Sequence, residues 1–191
     1  MFIQVAETPN PNALKFILEE RILDGGAVYH FTSNEDCESE LASQLFTIES
    51  ITDVFLGANF ISVTIKDYTK WNLLKPKILS IITDFLVTGA SVINNNTNNL
   101  SEEKIVGKNA EEQEIIDRIT EMFEDRIRPA VAMDGGDILF RKYLDGKVYI
   151  SMYGACSGCP SAGVTLKNGI ENMLKYYIPE VTEVIDIEQY D

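Results

Sequence analysis

ILFRKYLDGKVYISMYGACSGCPSAG, residues 138–163, decides the fold of the C-terminal part of this chain and carries its most informative chemistry. Ile138–Leu144 and Lys147–Tyr153 read as two strands joined by Asp145-Gly146, a pair that tolerates the positive φ of a tight hairpin turn. Val148, Ile150 and Met152 alternate towards one face. A two-residue turn pairs Leu144 with Lys147, which places Asp137 opposite Gly154 and Gly135 near the height of Cys156. The hairpin then delivers the chain into Cys156-Ser157-Gly158-Cys159, with Pro160 placed as the first residue of a helix, where its missing N–H costs nothing.

Outward from that stretch, Leu166, Ile170, Met173, Leu174 and Tyr177 recur at helical spacing until Pro179, and Val181–Ile187 reads as a last strand. Upstream, Ile115, Ile116, Ile119, Met122, Phe123 and Ile127 form an amphipathic stripe predicted to end near Pro129. The order is α-β-β-α-β. Before it, NNNTNNLSEEKIVGKN, residues 94–109, is polar and without periodicity, and is expected to be a flexible linker. It divides the chain into domains 1–93 and 110–191.

The first of these carries strand patterns at Phe2–Ala6 and Ala13–Leu18. A helix is expected from about Ser33, with Leu41, Leu45 and Ile48 on one side. Val54–Leu56 and Phe60–Ile65 form a hairpin through Gly57-Ala58-Asn59. Trp71 to Leu86 forms a helix with Leu74, Ile78, Ile81, Ile82 and Phe85 on its apolar face, despite Pro76 near its start. The fold class is α+β: two small domains, the second with its C-x-x-C loop between hairpin and helix.

Composition narrows the function. The net charge is −14, and both halves have an acidic excess, so neither presents the basic surface that nucleic acids require. No apolar run approaches the roughly 20 residues of a membrane span. MFIQVAETPNPNALKF is neither a secretory signal nor an Arg/Ser-rich transit peptide. A cytoplasmic protein is expected, or a mitochondrial matrix protein if a transit peptide has been removed. The 3 cysteines of this chain are too few for a secreted disulfide framework and suit thiol chemistry in a reducing compartment.

Cys156 and Cys159 are the candidate metal ligands. A helix starting at Pro160 is expected to favour thiolate through its free amides and positive dipole end. Gly154 and Gly158 leave backbone close to the sulfurs. Two thiolates make half of a site, because an iron–sulfur cluster or tetrahedral zinc takes about four ligands. Cys37 and the single histidine, His30, fall in the other domain. A two-fold dimer in which each chain contributes Cys156 and Cys159 solves the shortage and suits a bridging 4Fe–4S cluster. Three alternatives stay open: a buried structural pair, a thiol–disulfide oxidoreductase, and a zinc-bridged dimer. In Met133-Asp134-Gly135-Gly136-Asp137, the glycines favour a turn that shapes the cysteine loop over ligation of iron by Asp134 or Asp137.

At these residues the chain resembles the NifU-like iron–sulfur scaffold family, from about Glu111 to Ile187. RPAVAMDGGD, GACSGCPSAGVTLKNGIENML and YYIPEV carry the resemblance. The first part, with ETPNPNALKF, resembles the N-terminal domain of two-domain members. The resemblance implies a non-enzymatic protein that assembles or carries a 4Fe–4S cluster on Cys156 and Cys159. It also implies receipt of that cluster from an upstream assembly scaffold and delivery to apo iron–sulfur proteins, with partner contacts assisted by the N-terminal domain. The chain lacks the additional cysteine-rich modules of larger nitrogen-fixation scaffolds, so a late-acting carrier is expected, dimeric when loaded and independent of nucleic acid and membrane.

Overall fold

The computed structural model describes residues 2–24, 27–34, 37–93, 105–157 and 160–187. The chain divides into two compact units, Met1–Ser101 and Glu102–Asp191. Most of the segment read as a linker, including its asparagine tract, lies outside the described residues.

The first unit is an α+β fold around a five-stranded antiparallel sheet. Its strands are β1 (Ile3–Glu7), β2 (Ala13–Leu18), β3 (Tyr29–Phe31), β4 (Ile51–Leu56) and β5 (Phe60–Ile65), in the order β1-β2-β5-β4-β3. Alternation sets the buried face: Ile61, Val63 and Ile65 of β5 point into a core shared with Phe16, Leu18, Val54 and Leu56. Helices α1 (Glu40–Phe46) and α2 (Trp71–Val87) close that core with Leu41, Leu45, Leu74, Ile78, Ile82 and Phe85.

Three details differ from the sequence reading, the simplest being that the strand expected at Val54–Leu56 begins at Ile51. The first helix starts at Glu40, not near Ser33, because the Ser39 hydroxyl accepts from the Ala42 N–H and caps it there. The short strand β3 escaped detection. It spans three residues, too few for a period, and exists because β4 pairs with it.

The second unit has the predicted α-β-β-α-β order. A helical stretch runs through α3 (Ala110–Met122), a π-helical turn (Phe123–Ile127) and α4 (Arg128–Met133). Asn109 caps it by accepting from the Glu112 N–H at 2.8 Å. The stripe was expected to stop near Pro129. Instead the π-turn lets the Arg128 N–H reach back to the Phe123 carbonyl, and Pro129 falls in the first turn of α4, where a proline ring is accommodated. The sheet is β6 (Gly136–Leu144), β7 (Lys147–Gly154) and β8 (Glu183–Asp186), with β6/β7 antiparallel and β7/β8 parallel. Asp145 and Gly146 take φ of 49° and 82°, as the hairpin turn demands.

Helix α5 (Pro160–Tyr177) connects β7 to β8 and starts at the expected proline. Ile170 and Leu174 reach the core, whereas Met173 and Tyr177, read as part of the same stripe, are exposed. The last strand is shorter than Val181–Ile187. The core joins Ile116, Ile119, Phe123 and Ile127 to Ile138, Phe140, Val148, Ile150 and Met152 of the hairpin, and it includes Cys156.

Candidate metal centre

The cysteine loop is built by backbone that only glycine enters easily. Gly154, the last residue of β7, has φ of 67°, and Gly135 has φ of 84°. The Ser157 N–H and hydroxyl both donate to the Gly154 carbonyl, at 3.0 and 2.9 Å, closing a turn with Cys156 at its third position. The Ala155 N–H donates to the Gly135 carbonyl at 3.2 Å. The DGG turn therefore forms one wall of the cysteine loop.

The register within that wall is not the expected one. Pairing from the turn holds at Leu144↔Lys147 through Lys142↔Tyr149, then a bulge between Phe140 and Lys142 shifts it by one residue. Gly136, not Asp137, lies opposite Gly154, and Asp137 pairs with Tyr153. Gly136 consequently backs the sulfur. A Cβ added to it would stand 2.5 Å from the Tyr153 carbonyl oxygen and 2.7 Å from Cys156 Sγ.

Cys156 is 7% exposed. Burial pushes its thiol up to about 12, with the Asp134 and Asp137 charges adding in the same direction. This reverses the expectation that a helix end would favour thiolate. The sulfur is enclosed in the unit's core, and desolvation outweighs the pull of a helix that begins only at Pro160. Cys159, the second predicted ligand, lies outside the described residues.

Asp137 is 4% exposed and engaged at both oxygens. Its Oδ1 accepts from Arg128 Nε at 3.0 Å and from the Ile138 N–H at 2.8 Å, and its Oδ2 accepts from Arg128 Nη2 at 2.7 Å. Arg128 Nη1 also donates to Glu124 Oε1 at 2.7 Å. This forked pair raises the Arg128 pKa above its ordinary value, the Asp137 hydrogen bonds contributing most. Asp137 thus shapes the turn, with both oxygens held by Arg128.

Cys37 and His30 both lie in the first unit. In the first unit, the half-buried Cys37 thiol donates to the Ser39 carbonyl at 3.4 Å and packs against that unit's own core. His30 Nε2 pairs with Asp53 Oδ2 in the same unit. Among the described residues, no three His, Cys, Asp or Glu side chains gather to hold a metal ion.

Residues 3–89 match the family model described as Scaffold protein Nfu/NifU N terminal, and residues 119–185 match the one described as NifU-like domain. The chain belongs to the NifU-like family in its two-domain form. It is 42% identical, over 96% of its length, to the NFU1 iron-sulfur cluster scaffold homolog, mitochondrial, of Drosophila willistoni, and equally to that of Drosophila ananassae. The chain spans 63% of the length of each. A solution structure of a NifU-like protein from Saccharomyces cerevisiae is 27% identical, covering 50% of this chain and 87% of that one, with a TM-score of 0.42.

Within the NifU-like unit, Arg128 of RPAVAMDGGD is a residue whose role the sequence alone does not reveal. Its signal was available in principle: one cation nine residues before a buried carboxylate of the same motif. What hid it was the π-turn, because a helix ending at Pro129 gives no reason to bring Arg128 back to the start of β6.

Proposed function

We propose that this protein holds a 4Fe–4S cluster between two chains, through Cys156 and Cys159 of each, and transfers it to apo iron–sulfur proteins. The carrying observation is the ligand count: Cys156 and Cys159 are the two cysteines of the second unit, half of the about four ligands that a cluster takes. A second chain is the economical source of the missing ligands. Family membership supports the iron–sulfur reading, and the Gly136 seat leaves room for a sulfur against bare backbone.

The cluster is cargo in this scheme. Loading replaces the proton of each thiol by iron, so protons are released. Delivery is ligand exchange without change of oxidation state. A client thiolate forms its bond to iron as a carrier Fe–S(Cys) bond breaks, and the freed cysteine takes up a proton. Separating the two chains removes half of the carrier's ligands at once, which favours release to a client.

Cys156 is buried, so exposure of its sulfur is not what would favour release. On unloading, the freed Cys156 returns to a buried site, and burial favours its neutral thiol over a thiolate. The same burial disfavours thiol–disulfide exchange, whose nucleophile is an accessible thiolate of lowered pKa. The relatives carry a mitochondrial label. The proposal needs only a compartment that keeps thiols reduced. Among the described residues, no helix is long and apolar enough to cross a membrane.

Anaerobic reconstitution with ferrous iron and sulfide tests the reading. The loaded protein is expected to be brown, to give a 4Fe–4S Mössbauer spectrum and to sediment as a dimer. Mixed with an apo 4Fe–4S dehydratase, it should restore activity in the presence of an iron chelator. A colourless dithiol, a protein that keeps zinc and rejects iron, or activation abolished by the chelator would each overturn it.

A further inference from the structure

The C-terminal unit places a nearly buried carboxylate, Asp137, immediately after the glycine on which Cys156 Sγ rests. A cluster held by four thiolates is net negative, so this carboxylate opposes its cargo. Arg128 meets it with two parallel hydrogen bonds at 3.0 and 2.7 Å, and is itself largely enclosed, with a side chain 20% exposed. At such burial charges are poorly screened by solvent, and opposite charges in a forked pair largely cancel.

We propose that Arg128 is a positioning and charge-compensating residue for the cluster: by clamping Asp137 it fixes the Gly136 seat and offsets the carboxylate that would expel an anionic cargo from Cys156. This inference rests on the reading that Cys156 carries a cluster. It assigns a sign to each partner. Losing the cation leaves an uncompensated negative charge beside the cluster, which loosens it and makes it harder to reduce. Losing the carboxylate leaves Arg128 paired with the half-exposed, solvent-screened Glu124, so the balance beside the cluster becomes less negative, which tightens it and makes it easier to reduce. A clamp that only held the fold together would behave otherwise, since removing either partner would loosen the cluster alike.

The test loads full-length wild type, Arg128→Gln, Asp137→Asn, Arg128→Lys and the double variant R128Q/D137N with iron and sulfide. It then reads the rate of cluster loss to a chelator and the reduction potential of the bound cluster. Arg128→Gln is expected to lose cluster about tenfold faster than wild type, the scale of outer-shell effects on metal retention, with a lowered potential. Asp137→Asn should lose it more slowly, with a raised potential. Arg128→Lys keeps the charge without the fork and should stay near the wild-type potential. If a single variant fails to fold by thermal melting, the double variant, neutral at both positions, should load and return towards wild-type potential. Equal acceleration by both single variants with unchanged potentials would overturn the inference, as would a potential shift in Arg128→Lys as large as in Arg128→Gln. A wild type that takes up no cluster would sink the carrier reading and this inference with it. A wild type that loads, with variants of the wrong sign, would sink this inference alone.

Discussion

Gly136 seats the sulfur of Cys156: a methyl group on that glycine would stand 2.7 Å from Sγ and 2.5 Å from the Tyr153 carbonyl oxygen. The carbonyl belongs to the strand paired with β6 and cannot swing away, so the crowding falls on the sheet as well as on the thiol. Gly136→Ala is expected to destabilise the C-terminal unit by about 1–3 kcal/mol and to reduce iron bound per chain. Gly169→Ala is the control. Nothing lies within 4 Å of a Cβ there, and an exposed helical glycine changed to alanine should stabilise by up to ~1 kcal/mol. Denaturant unfolding and iron analysis of both variants check the pair. Equal behaviour would show that the seat is not tight.

The ligand assignment separates the three cysteines. Cys156→Ser and Cys159→Ser should each abolish retention of iron and sulfide after anaerobic reconstitution. Cys37→Ser should leave it unchanged, because that thiol is occupied with the Ser39 carbonyl in the other unit. Equal iron loss in all three would refute the assignment.

The buried thiol makes stability depend on alkaline pH. Cys156 has its folded pKa raised from 9.0 to about 12. A thiol is neutral when protonated, so the raised value means that the native state resists ionisation that the unfolded chain undergoes freely. The contribution is fully present below about pH 9 and is lost as pH rises from there towards 12, on the scale of about 1.4 kcal/mol per pKa unit. The stability difference between wild type and Cys156→Ala, measured in denaturant, should therefore shrink between pH 8 and pH 10.5 (both roughly placed around the unfolded thiol pKa). The same competition with protons should weaken iron loading as pH falls. A pH-independent difference would show that the thiol is more solvated than its burial implies.

Helix α5 is tied to the last strand by one carboxylate. Glu171 Oε1 accepts from Lys175 Nζ at 2.6 Å, and Oε2 accepts from the Val184 N–H of β8 at 2.9 Å. These bonds, the Lys175 one foremost, hold the Glu171 carboxyl below its usual range. Its contribution is present above the unfolded pKa near 4.5 and fades as pH falls through the lowered folded value. Glu171→Gln should cost about 1 kcal/mol at neutral pH and progressively less in acid. A cost that stayed constant down to acid unfolding would assign the effect to packing instead of charge.

Much of this protein was readable along the chain because its signals are local. Alternation at Val148, Ile150 and Met152 and the Asp145-Gly146 turn need only neighbouring residues, and all three strand residues are buried as read. Pro160 begins α5 for the same kind of reason, since a residue without an N–H suits a first helical turn. The C-x-x-C pair, its glycines and the surrounding motif carry the family resemblance in a single contiguous stretch.

What tertiary structure alone decided is how distant segments meet. Two insertions of one residue's worth of backbone, the π-turn at Phe123–Ile127 and the bulge between Phe140 and Lys142, carry no pattern of their own. Each is the compromise that lets a helix or a strand keep packing on a core shared with other elements. The bulge moves Gly136 into the place that uniform pairing would give Asp137, and the π-turn carries the helical stretch past Pro129 to Met133. The fate of Cys156 follows from the same cause. A helix end nearby argues for thiolate, but enclosure in the second unit's core removes the water that an ionised sulfur needs. Burial is a property of the whole fold, so no local stretch of sequence could specify it.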